Sequence, residues 1–202
     1  MNAETRFEDG QERSTRDHFV HLWGRSWDDY LQLLAIRGDS VSPRVQYLEG
    51  TIEIMSRSFD HEAIRSKIGM ILGVWCLDQG IEFTQAGSWT LQEPSEERGA
   101  EPDDCYVFGS EPRDRPHLAI EVVWSTGGLD KLRIDGRLGV GEVWFWRKGR
   151  LTAHVLRDGN YVEVERSEAL PDFDLARCAA ALDQPTTSEA VRAFREGCAP
   201  SP

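Results

Sequence analysis

Residues 117–124, HLAIEVVW, are nearly all apolar and β-branched, and Glu121 interrupts them. Such a run suits a central strand buried on both faces, where a carboxylate is costly unless it meets a cation or a network of donors. Glu121 therefore turns to a solvated face, pairs with an arginine, or serves as a metal ligand or general acid/base, because perturbed carboxylates concentrate at functional sites. A second acid, Asp103, precedes the strand CYVF within Glu101-Pro102-Asp103-Asp104; by itself Pro-Asp signals only a turn. The two acids converge if their strands are neighbours, and Mg²⁺ or Mn²⁺ between them would relieve their repulsion. Lys131 falls one turn into a helix expected after the STGG turn. A lysine there is either solvated or aimed back over the strand end, where it would orient a water or offset charge developing on phosphorus.

The elements that would position these residues follow from periodicity. Residues 1–20, charged and small, read as a disordered arm, with ordered structure beginning near Ser26 as an N-cap. Trp27, Tyr30, Leu31, Leu33 and Leu34 then suit a short amphipathic helix ending near Gly38. VQYLEGTIEIM, residues 45–55, reads as a hairpin turning at Glu49-Gly50. Ile64, Ile68, Ile71, Leu72 and Trp75 form one stripe of a helix over residues 60–79, capped by Ser58 or Asp60 and stopped at Gly80. IEFTQ and SWTLQ read as two strands joined through Ala86-Gly87, and residues 93–101 as a polar loop. After a helix over residues 129–138 come the strands EVWFW, LTAHVL and YVEVE, then helices over FDLARCAAAL and from Thr187 to Glu196. Strands and helices mix without βαβ repetition, so the expected class is α+β around one mixed β-sheet flanked by helices.

With 202 residues the chain suits one domain, expected over residues 21–200. No run nears the roughly 20 apolar residues that span a bilayer, and the polar N-terminus is unlike a secretory leader, so a cytoplasmic location with no membrane partner is expected. Cys76, Cys105, Cys178 and Cys198 lack a CxxC pair, which argues against structural zinc. The net charge of -12 repels a phosphate backbone beyond roughly a Debye length of about 8–10 Å. A basic groove would have to come from Arg57, Arg65, Lys67, Lys131 and Arg133. Trp144 and Trp146, on one strand face, belong to the core or to a homodimer surface.

The series EGTIEIMS, a helix opening with His61-Glu62, GSWTL, EPDDCYVFG, LAIEVVWSTGGLDK and GVGEVWFW resembles the Uma-type family of restriction endonucleases, within the PD-(D/E)xK nuclease superfamily. The six motifs occur in the family's order, and the resemblance covers residues 47–182. The resemblance implies a restriction-endonuclease-like core and a magnesium-dependent endonuclease acting on DNA. It places Asp103 on the acid of the PD motif and Glu121 on the acid of ExK, with the Val122 carbonyl joining them as metal ligands. The ExK lysine position holds Val123, and Lys131 matches a lysine moved to the following helix. His61 and Glu62 begin the first core helix, where the superfamily supplies another acidic ligand; Glu49 and Glu53 compete with Glu62 for that place. His61 reads equally as a core residue. Where members carry tyrosine this chain has Asp135, four residues after Lys131 and able to pair with it. That pairing and the acidic balance favour the alternative of a catalytically weak or inactive nuclease-fold module that binds protein or nucleic acid.

Overall fold

The computed structural model describes residues 15–124 and 138–197. The helix expected over residues 129–138, with Lys131, Arg133 and Asp135, lies outside them except for Leu138. The described chain is α+β, as expected, but it forms two sheets rather than one.

Sheet A is antiparallel and contains β1 (His18–Trp23), β2 (Arg44–Leu48), β3 (Thr51–Ser56), β5 (Leu91–Glu93) and β6 (Arg98–Ala100), in the order β1-β3-β2-β6-β5. Strand β1 corrects the expectation that order begins near Ser26, since it pairs with β3 along its whole length, from His18 opposite Ser56 to Trp23 opposite Thr51. The hairpin β2–β3 turns at Glu49 and Gly50, with φ of 46° and 83°. Two successive left-handed residues match the right-handed twist of the paired strands, and glycine takes the second without strain. Helix α1 (Trp27–Arg37) starts in a capping box: Ser26 Oγ accepts from Asp29 N at 3.1 Å, and Asp29 Oδ2 accepts from Ser26 N at 2.9 Å. Its Tyr30 packs with Val45, Tyr47 and Ile52 on one face of sheet A.

Sheet B contains β4 (Phe83–Gln85), β7 (Asp104–Phe108), β8 (Leu118–Val123), β9 (Glu142–Arg147), β10 (Arg150–Arg157) and β11 (Asn160–Val164), in the order β11-β10-β9-β8-β7-β4. It is mixed, because β8 and β9 run parallel while the other pairs are antiparallel. The strands expected on either side of Ala86-Gly87 exist, but β4 joins sheet B and β5 joins sheet A, so that link is a crossing between sheets. The expected polar loop likewise contains β6.

Helix α2 (Phe59–Asp78) is capped by Ser58, whose side chain accepts from His61 N. It lays Ile68, Ile71, Leu72 and Trp75 against Ile120, Val122, Trp144 and Trp146 of sheet B, joined by α3 (Leu175–Ala181) and α4 (Thr187–Glu196). Trp144 and Trp146 are thus core residues, not a dimer surface. The other face of sheet B meets sheet A: Leu48, Leu91 and Ala100 pack with Cys105, Ala119, Val143 and Phe145. Sheet B is therefore covered on both sides, and this explains why β8 is apolar on both faces apart from Glu121.

Gly99 lets α1 close on sheet A. A Cβ there would lie 2.6 Å from Tyr30 Cε1 and closer still to the ring Cζ and hydroxyl. Gly99→Ala should therefore cost about 1–3 kcal/mol through overpacking, read as a lower urea midpoint; an unchanged midpoint would show that Tyr30 can move aside.

Candidate metal centre

Strand alternation sorts the acids. Asp104 pairs with Ile120 and Cys105 with Ala119 across β7 and β8, so one step further Asp103 stands opposite Glu121 on the same face. That is the face turned to sheet A. Asp103 is 1% exposed and Glu121 0%. Asp103 Oδ2 accepts from Val122 N at 2.7 Å, which ties the two strands together beyond the last ladder pair. A strand residue aims its N–H and C=O to the same side, so the Val122 carbonyl is directed to the edge where Asp103 sits.

Asp104, next in sequence, points the other way, toward α2. It accepts from Gln85 Nε2 at 2.5 Å and from the Tyr106 hydroxyl at 3.2 Å, with Arg65 at 3.5 Å. Gly69 of α2 makes room for this cluster, since a Cβ there would meet Gln85, Tyr106 and Asp104 at 2.9–3.3 Å. Burial raises the Asp104 carboxyl above its ordinary value, against the pull of Gln85 and Arg65.

Three basic side chains converge on Asp103. His61 Nε2 lies 3.1 Å from its Oδ2, and His61 Nδ1 lies 3.1 Å from Asp17 Oδ2. Asp17, just before β1, also accepts from Ser58 N at 2.9 Å. Burial works to raise its carboxyl, but the hydrogen bonds from His61 and Ser58 outweigh it and hold the group below its ordinary value. Arg44 and Arg57 each approach Asp103 Oδ1 to 3.7 Å. Arg44 is buried and also donates to the main-chain carbonyls of Glu101, Pro102 and Asp103. Arg57 is bound to Glu62 at 2.6 Å, and burial together with the neighbouring Arg44 pushes its guanidinium down.

The structure thus brings together Asp103, Glu121, Val122 and His61, with Glu62 alongside through Arg57. Glu62 also holds Arg65 at 2.9 Å. Glu49 sits in the hairpin turn at the opposite end of β2 from Arg44, paired with Arg98 at 3.1 Å. Glu53 is buried on the sheet A face that carries Arg44, 2.9 Å from His21 Nε2. Lys67 is drawn away to the Leu182 carbonyl at 3.0 Å. Asp17, Arg44 and Glu101 were not anticipated: Asp17 is hidden in a polar N-terminal stretch, and no periodicity marks an arginine that will be buried.

Two buried carboxylates and a main-chain carbonyl are the oxygen donors that a hard divalent cation takes. Among the described residues no group of three or more His, Cys, Asp or Glu side chains has metal-binding geometry. The donor set therefore fits a cation only with the carbonyl included.

Glu101 fixes the segment that carries Asp103. It accepts from Arg37 at 2.6 Å, Thr90 at 2.6 Å and Val45 N at 3.0 Å. Burial opposes its charge, and these three partners overcome it, so it titrates below its ordinary value of 4.5. A depressed carboxyl stabilises the fold fully above that ordinary value and loses its contribution as pH falls through the native one. Glu101→Gln should lower stability at neutral pH and flatten the acid limb of stability against pH; a variant with the wild-type acid slope would contradict this.

No curated protein matches the chain. Among solved structures it is similar to a "putative nuclease belonging to DUF820" from Anabaena variabilis ATCC 29413. That likeness has 15% identity and a TM-score of 0.52, covering 84% of this chain and 98% of the other. At that identity the likeness shows the fold. No described helix is long and apolar enough to cross a membrane. A family model described as "Putative restriction endonuclease" matches residues 27–183, which hold Asp103, Glu121 and every described helix but α4. The chain belongs to this family, Uma2.

Proposed function

We propose that the protein is a metal-dependent endonuclease that hydrolyses phosphodiester bonds in DNA. The observation that carries this is the opposed pair Asp103 and Glu121, buried on one face of neighbouring strands. Asp103, Glu121 and the Val122 carbonyl would hold Mg²⁺ or Mn²⁺. Bound there, the cation lowers the pKa of a water and offsets charge on the scissile phosphate. The chain's own groups set the geometry. Val122 N–H and His61 orient Asp103, and Asp17 in turn orients His61. Arg57 brings positive charge to the same carboxylate while remaining partly accessible. Lys131, which the sequence resemblance matches to a lysine moved to the following helix, would place the attacking water or offset charge on phosphorus. A cytoplasmic, single-domain protein is part of the same reading.

A second reading is a nuclease-fold binding module without activity. Its support is that Arg44 and Arg57 already bring positive charge to Asp103, with His61 at 3.1 Å, in a chain of net charge -12.

Plasmid and single-stranded DNA should be cleaved with Mg²⁺ or Mn²⁺, and Asp103→Ala or Glu121→Ala should each reduce the rate by about 100-fold or more. Equal cleavage by wild type and both variants would sink the assignment. DNA binding without cleavage in any of them would select the binding module.

A further inference from the structure

Gln46 lies in β2 between Arg44 and Leu48, and alternation along a strand puts all three on one face. The neighbours on either side locate that face. Arg44 reaches Asp103 and the carbonyls around it. Leu48 packs in the cluster with Cys105 and Ala119, which share the Asp103–Glu121 face of sheet B. Gln46 is therefore aimed between the sheets at that same face, with Glu53 directly opposite it on β3.

Its burial is hard to explain as packing. Gln46 is 1% exposed, and neither its Oε1 nor its Nε2 has a hydrogen-bond partner among the described residues. A carboxamide offers two donors and an acceptor, and burying all of them unmet is strongly unfavourable beside an apolar side chain of the same size. Native orphans of this kind mark a functional role or a place for a water or ion. Val123, next after Glu121 on the same face of β8, is apolar, so β8 offers no second polar side chain to a water at the carboxylates, and Gln46 would act beside Lys131 rather than in its place.

We propose that Gln46 is a positioning residue of this site, whose carboxamide holds a water of the divalent cation's shell facing Asp103 and Glu121. This rests on the metal-dependent reading above. Oε1 accepts one O–H of the water, while Nε2 is left to donate to an anionic oxygen across the gap. The amide orients the water and takes no proton from it.

Calorimetric titration with Mn²⁺ and thermal melting with and without Mn²⁺ test this on the full chain, for wild type, Gln46→Leu and Gln46→Met. Both variants should melt at or above wild type without metal, because an unmet polar group is gone. Each should bind Mn²⁺ about 10-fold more weakly, the loss typical of a group that orients metal ligands. Unchanged Mn²⁺ affinity in a folded variant overturns the proposal, as does a lower metal-free melting temperature in both variants, which would mark Gln46 as structural. Failure of wild type itself to bind Mn²⁺ overturns the metal reading, an outcome visible without any variant.

Discussion

The buried guanidinium of Arg44 is the contact on which the rest of the site depends. A charge taken out of water survives only with excellent hydrogen bonding, and here main-chain carbonyls of Glu101, Pro102 and Asp103 supply it. Arginine suits this role because its planar fork offers five donors, where lysine offers three on a flexible stem. The result joins two sheets at one point, since Arg44 belongs to sheet A and the carbonyls lead into β7 of sheet B. Glu101 reinforces the joint by accepting from Val45 in the same strand. The Asp103 carboxylate is thus held by the Val122 N–H, and the main chain that carries it by Arg44, before any ligand arrives.

That arrangement also answers the objection raised by overall charge. A net charge of -12 is a property of the whole surface, whereas the potential at Asp103 is set within a few ångströms by Arg44 and Arg57. Buried pairs are screened far less than exposed charges. Local cations can therefore govern the site while the exterior stays acidic.

Much of the fold was legible in the sequence because the signals were local. Ser26 and Gly38 bound α1, the Glu49-Gly50 turn set the hairpin, and the stripe from Ile64 to Trp75 marked α2. Glu121 stood out because one acid broke an apolar strand. What stayed hidden depends on what lies opposite. HFVHLW is a strand only because β3 offers it an edge. Nothing within EFTQ or TLQE says that they join different sheets. Arg44, Gln46 and Glu53 look like the solvated side of a hairpin until a second sheet covers that side. Asp17 acquires its role only through His61 on α2.

The neighbouring acids Asp103 and Asp104 occupy opposite sides of sheet B, one against sheet A and the other against α2. A strand slipped by one residue exchanges its two faces. In β7 such a slip would still leave a carboxylate beside Glu121, with Asp104 standing in for Asp103. It would also drive the Tyr106 ring between the sheets and turn Cys105 toward the helix, where neither fits the space. Misaligned chains would thus carry the right chemical group in a core that rejects them, so the aromatic and small residues of β7 act as proofreaders for an acid that cannot identify itself.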